Sequence, residues 1–492
     1  MNRFNGLMFA VFASLLVAAC GGGGDSSVTT ASTPLTPATT TTPTSPIATT
    51  PQLLASGYPG DPASCTVAGQ RRWLDDYMAD QYFWSANRRV PNAAATTLDA
   101  YFQSQLFVPT DRYSYAQELA AFTQFFNEGT RTGYGYSLAF ADATQTKLQI
   151  RIVEPLSPAA AAGLQRGDTV LSIDGFSPTN IVNGSLTTVS TTGIPRTFSI
   201  ENSLGTQRTL TMVSRNFLLS PVLTDKVLTA ANGAKVGYLA YQEFTTLSLS
   251  ALGASFNRFR AAGVTELIVD LRYNGGGSVT VARALASLMG GAALDGKTFA
   301  SIRYNTQNKA SDFDYAFSAN RSALPVAPLE GLTQVFFITS FNTASASELV
   351  INSLFPFKKV VTVGATTFGK PFGFAPRSAC DTVYNAVNFE SFNADGAGRF
   401  TSGLPATCTV ADDLSKALGD PTERRTAAAL GYIQTKTCPV VAATAAGGLQ
   451  ASSQEDSLTP SIRARIAGSS VANQRNTEPA FGEVNPPRMI AD

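Results

Sequence analysis

The chain has 492 residues, 44% hydrophobic and 14% charged, with a formal net charge of +1. This is enough apolar material for about three domains at ~150 residues each, and it offers no basic field for nucleic acid. There is no histidine, so a Ser-His-Asp triad within one chain is excluded. With no two of the five cysteines at CxxC spacing, nothing points to a metal site.

Residues 1–19 carry Arg3 and an apolar run from Leu7 to Ala19, of signal-peptide length and short for a membrane span. The run ends Val17-Ala18-Ala19-Cys20, which resembles a bacterial lipobox. That resemblance implies lipidation at Cys20 and, because Gly21 and not Asp follows, a lipid anchor in the outer membrane facing the periplasm. An ordinary cleaved signal peptide is the plainer alternative. Two or more acyl chains, at about 0.8 kcal/mol per buried methylene, anchor stably. Residues 20–60 are Gly-, Thr-, Pro- and Ser-rich with almost no charge. They read as a tether.

Residues 61–130 are expected to form a small helical domain, with Trp73, Leu74, Tyr77 and Met78, then Leu98, Tyr101 and Phe102, at helical spacing. An aromatic stripe of this kind reads as core. Residues 131–217 read as β-rich. Gly133-Tyr134-Gly135-Tyr136 makes a glycine turn into a strand, and Ser157-Pro158 starts a short alanine helix that Gly163 ends. The stretch from Ile152 to Gly175 resembles a PDZ domain of the bacterial protease type. The resemblance implies recognition of a C-terminal carboxylate by Gly133, Tyr134, Gly135 and Tyr136, with the peptide added as a strand.

Residues 218–440 carry repeated strand–loop–helix units and an α/β organisation. Val236–Tyr241 and Val264–Leu271 read as strands, Leu249–Ala262 and Val279–Met289 as helices. Between them, Gly275-Gly276-Gly277 could make a tight turn or a phosphate cradle, but the Gly-Lys-[Ser/Thr] ending of a P-loop is missing. Val335–Thr339 is a buried strand, Ser340–Thr343 a turn, and Ala344–Leu354 a helix. Ser345 thus stands near a helix N-terminus, where backbone N–H groups favour negative charge. Without histidine, the base for such a hydroxyl would be a lysine whose pKa falls by ~3 units on burial, a cost of about 4 kcal/mol. Lys370, in a Phe- and Gly-rich loop, is the candidate. Ser345-Ala346-Ser347-Glu348 also fits a plain capping box, and Lys370 a solvated surface lysine.

Thr343–Glu348 followed by Thr367-Phe368-Gly369-Lys370 resembles the signature of the C-terminal processing (tail-specific) serine peptidases. The resemblance implies Ser345 as nucleophile, Lys370 as general base, Glu348 as supporting acid, and an oxyanion hole from Gly276 and Ala346. It also implies a ClpP/crotonase-like fold for 218–440, no cofactor, and polypeptide substrates with exposed C-termini. Many members carry a glutamine four residues after the lysine; here it is Phe374. Asp111–Tyr115 resembles a short motif of the same family. The rival reading is a catalytically inactive peptide- or ligand-binding envelope lipoprotein of the same fold, and self-association into a homo-oligomer is left open.

Cys65, Cys380, Cys408 and Cys438 allow two disulfides and three connectivities. Cys380–Cys408, closing an insertion that would form a lid or specificity wall, and Cys65–Cys438 are the expected pairs. Pro421–Thr437 is expected to be the last helix, and 441–492 a loosely ordered tail.

Overall fold

The computed structural model describes residues 62–140, 147–187, 189–320 and 323–439, together with the backbone of Arg488–Ile490. Cys20 and the tether therefore lie outside the described residues. Among those described, no helix is long and apolar enough to cross a membrane.

The central sheet has six strands, in the order Cys408–Thr409, Lys359–Gly364, Gln334–Thr339, Glu266–Asp270, Lys235–Tyr241 and Val222–Thr229. All neighbours are parallel except the last pair. Parallel strands need crossovers, which cover both faces and leave no side of the sheet for polar residues. Leu239, Leu267, Val269, Val335 and Phe337 pack on one face against Leu252, Phe256, Leu285 and Leu349 of the helices Ser248–Ala261, Val279–Gly290 and Ala346–Leu354. Tyr238, Ile268, Phe336 and Ile338 face the other way, toward Ala429, Tyr432 and Ile433 of the helix Arg424–Thr435. The result is a three-layer α/β platform.

Beside it stands a second six-stranded sheet, ordered Gly276–Ser278, Arg488–Ile490, Phe372–Phe374, Val387–Phe392, Thr298–Tyr304 and Phe313–Ala316. Its third strand, like its second, comes from a stretch that reads as loop or tail in the sequence.

The helices Val67–Asp80 and Leu98–Ser104 do not close a core of their own. Trp73, Leu74, Tyr77 and Phe102 pack with Ala379, Tyr384 and Ala386, and Tyr115–Glu118 pairs with Thr382–Asn385. Residues from the two halves of the chain thus share one core.

The disulfides are Cys65–Cys380 and Cys408–Cys438, which corrects the expected pairing of Cys380 with Cys408 and of Cys65 with Cys438. The reason is topological. Cys380 sits in the turn between Arg377–Ala379 and Thr382–Asn385, against the first helix, whereas Cys408 lies on the edge strand of the central sheet near the end of the last helix. The segment 380–408 is also no lid: Asn385, Asn388 and Phe389 are buried and its strands enter two sheets.

Residues 136–213 form a five-stranded antiparallel sheet, in the order Tyr136–Phe140, Leu148–Val153, Thr169–Ile173, Pro195–Glu201 and Gln207–Val213. The Ser157 hydroxyl caps Pro158–Ala161 by accepting from the Ala160 N–H at 3.2 Å. Arg166 fastens this module to the platform through the Tyr273 hydroxyl (2.8 Å) and Asp412 (3.2 Å), and Gln242 donates to Glu154 at 2.7 Å.

Candidate active site

Three loops converge at the ends of the parallel strands. The first is the bend after Gln334–Thr339, where the Ser340 N–H donates to Thr343 Oγ1 and the Thr343 hydroxyl donates to the Leu271 carbonyl. The bend closes on Ser345, which has φ +61°, a left-handed conformation that costs a non-glycine residue of order 1–3 kcal/mol. Its Oγ is buried and has no hydrogen-bond partner among the described residues. Ala346 follows as the first helical residue, whose N–H no intrahelical bond uses.

The second loop carries Lys370, fully buried. Its amine lies 3.4 Å from the centroid of the Phe374 ring. Gly369 before it has φ +89°, and a Cβ there would lie 2.4 Å from the Thr401 carbonyl oxygen. Tyr113 holds this turn by donating to the Gly369 carbonyl at 2.8 Å. Arg112 stacks over Phe368 and donates to the carbonyls of Phe368, Gly369 and Thr401.

Glu348 joins the two loops. One oxygen accepts from the backbone N–H of Ser345 (2.8 Å) and of Lys370 (2.9 Å). The other accepts from the Gly369 N–H (2.7 Å) and the Thr367 hydroxyl. Burial raises this carboxyl above its ordinary value, against the opposing pull of those four donors. The Ser-x-x-Glu spacing does make the backbone half of a capping box, but three of Glu348's four bonds go to the lysine loop.

The third loop is Arg272–Ser278. Asn274 ties it to the serine bend: its carbonyl accepts from the Ala344 N–H and the Ser347 hydroxyl, both at 3.1 Å. Its side chain accepts from the Gly276 N–H at 2.8 Å, so in this structure that donor is already engaged. Beneath, Arg272 is fully buried and pairs with Asp270, Asp412 and Glu423. Burial alone would raise Asp412 and Glu423, but Arg272 together with Arg166, Arg425 and the Tyr273 hydroxyl at Asp412, and with the Thr426 N–H at Glu423, outweighs it, and both lie below their usual range, Asp412 well below.

Ser345, Ala346, Glu348 and Lys370 are therefore brought together, with Gly276 on the adjoining loop. Gly133, Tyr134, Gly135 and Tyr136 are not among them; Gly133 ends the strand Thr130–Gly133, which pairs with Arg215–Leu218, and Tyr136 opens the five-stranded antiparallel sheet. There Tyr134 is buried and donates to the Ile194 carbonyl, and Gly135 has φ +77°. The sequence alone assigns no role to Asn274, Thr367, Arg112 or Tyr113, although Asn274 immediately precedes the triple glycine and Arg112-Tyr113 lie inside the short motif noted above. No cluster of residues that could hold a metal ion occurs among the described residues.

Residues 235–391, which hold Gly276, Ser345, Ala346, Glu348 and Lys370, match the model of peptidase family S41. A carboxyl-terminal-processing protease of Picosynechococcus is 32% identical over 233 residues, 45% of this chain and 50% of that one. A carboxyl-terminal-processing protease of Synechocystis is 28% identical over 253 residues, 50% of this chain and 55% of that one. The chain thus spans about half the length of the curated relatives it matches. A crystal structure from Bacteroides fragilis assigned to the S41 proteases superposes with a TM-score of 0.63 at 26% identity, covering 74% of this chain and 97% of that one. The chain has a mixed α/β fold with S41 protease structural neighbours, and its homologues are carboxyl-terminal-processing proteases.

Proposed function

We propose that this protein is a serine endopeptidase working by a Ser345–Lys370 dyad. The observation that carries the reading is a buried, unpartnered Ser345 hydroxyl at a strained bend, tied to the backbone of a buried lysine through one oxygen of Glu348. In this reading the neutral Lys370 amine takes the Ser345 proton as Oγ attacks a peptide carbonyl. The Ala346 N–H receives the oxyanion, and Gly276 joins it once Asn274 releases its N–H. Each such donor contributes about 2.7–4 kcal/mol to the transition state. The Lys370 ammonium protonates the departing amine, and water, deprotonated by the same lysine, hydrolyses the acyl-enzyme.

The wider reading has three parts. Residues 131–217 act as a PDZ-type module for polypeptides with exposed C-termini, by the motif Gly133–Tyr136. Cys20 anchors the protein by lipid to the cell envelope. The module's attachment to Asp412 and Tyr273 through Arg166, next to the third loop, fits a recognition domain serving the peptidase.

A non-hydrolytic binding protein of the same fold is the alternative, and two observations favour it: the Lys370 amine rests on an aromatic face that stabilises its charged form, and the Gly276 N–H is engaged. Residues 61–492 and their Ser345→Ala variant, each incubated with an unstructured protein ending in apolar residues, separate the two. Fragments in the mass spectrum from the parent alone support the peptidase; no cleavage by either, with the tail still bound, supports the binding protein.

A further inference from the structure

The second sheet contains a strand from far along the chain. Arg488–Ile490 lies between Gly276–Ser278 and Phe372–Phe374, parallel to both. Arg488 is level with Gly276, Met489 with Gly277, and Ile490 with both Ser278 and Phe374. Its two neighbours carry the chemistry of the site. One begins at Gly276; the other starts two residues after Lys370. The helix Ala346–Leu354, which Ser345 precedes, also borders it.

Removing this strand in thought leaves a slot. Neighbouring strands stand about 4.8 Å apart, so the flanking strands are separated by the width of one extended peptide. The glycine strand is closed on its other edge, where the Phe244 N–H donates to the Gly276 carbonyl (3.2 Å) and the Ser278 N–H to the Phe244 carbonyl (2.9 Å). A Cβ on Gly277 would meet the Phe244 carbonyl oxygen at 2.2 Å. The edge that receives Arg488–Ile490 is therefore the edge at which a polypeptide can be added in register with Gly276 by main-chain bonds.

We propose that Arg488–Ile490 is a built-in competitor: this chain fills its own polypeptide slot and must vacate it before another polypeptide enters. The inference rests on the peptidase reading for what the slot serves, but self-occupancy itself is a statement about binding. A segment held on the same chain competes at its effective concentration, with no second molecule needed. An incoming peptide meets a site available only for the fraction of time the strand is out, and its apparent affinity falls by that fraction.

The test measures binding apart from cleavage. A fluorescent peptide of residues 484–492 is titrated by anisotropy into Ser345→Ala and Ser345→Ala/Met489→Pro proteins. Proline cannot donate to a ladder, so the second protein has lost its internal strand. For a slot self-occupied about nine times in ten, the peptide binds the proline variant about tenfold more tightly. The same peptide N-methylated at Met489 binds neither, and this arm needs no folded variant for its comparison. In the hydrolytic background, Met489→Pro raises kcat/KM on an unstructured protein by a similar factor. Equal affinity of the two proteins for the peptide, or undiminished binding of the N-methylated form, overturns self-occupancy whether or not the protein cleaves. Tighter peptide binding by the proline variant with no cleavage by any form upholds self-occupancy and removes the peptidase reading.

Discussion

The Lys370 amine lies 3.4 Å from the Phe374 ring centroid, with both residues buried. A ring face attracts a cation by about 0.5–2 kcal/mol and gives nothing comparable to a neutral amine. Phe374 therefore favours the wrong protonation state for a general base, where a glutamine could accept a hydrogen bond from either state.

Phe374→Leu removes the quadrupole and keeps an apolar wall. The acid limb of its kcat/KM profile moves to lower pH by about 0.4–1.5 units, since 1.36 kcal/mol corresponds to one unit. A pH–rate profile of parent and variant checks this; an unmoved limb means that the ring does not act on the base.

Glu348→Gln leaves backbone donors facing an amide NH2. At about 1–3 kcal/mol for each buried group left unsatisfied, the variant loses roughly 2–5 kcal/mol of stability and most of its activity. The pH trend has a definite sign. Because burial raises the Glu348 carboxyl in the folded state, its titration contributes stability below the ordinary value of 4.5 that is lost as pH rises through the higher folded value. The wild-type margin over Glu348→Gln thus narrows with rising pH there, as urea melts across that range can measure.

Arg272→Leu leaves Asp270, Asp412 and Glu423 buried around an apolar side chain. Breaking a buried ion pair by removing one partner costs about 3–5 kcal/mol, and here three carboxylates are affected. The sign is opposite to that of Glu348. Asp412 and Glu423 lie below their ordinary values, so they add stability above those values that is lost as pH falls through the folded ones. The variant lacks this stability, and its deficit shrinks in acid. Denaturation midpoints at neutral and acid pH report it.

Replacing Cys408 and Cys438 together with alanine opens a loop with a sequence separation of 30 and removes about 3–4 kcal/mol of stability by chain entropy. The bridge joins the edge strand Cys408–Thr409 to the chain just beyond the helix Arg424–Thr435, and the hydrogen bonds that tie Ser345 and Lys370 to Glu348 involve neither cysteine, so kcat well below the melting temperature changes less than twofold. Calorimetry beside a rate measurement separates the two effects.

The parallel strands were legible because both faces of each are buried, leaving unbroken runs such as Val335–Thr339. The serine bend was legible because its chemistry is packed into six consecutive residues. Glu348 was visible only in part: its bonds to Thr367, Gly369 and Lys370 cross a loop closure that no local spacing encodes. Arg112 and Tyr113 support the lysine loop from some 250 residues away, and the cysteine pairing depends on which turns meet in space. Arg488–Ile490 is three residues long, too short to display any period, and its strand state comes wholly from its neighbours.

The pairing of Tyr115–Glu118 with Thr382–Asn385 sets an order of assembly. An emerging chain cannot finish its first helical layer until its 380s exist, and Tyr113, which steadies Gly369, waits with it. The early aromatic residues spend most of synthesis without their partners, a long-range closure that slows folding and exposes apolar surface in the meantime. It also means that a nascent or truncated chain has no competent lysine loop: the peptidase proposed here cannot act on its surroundings before it is itself complete through that closure.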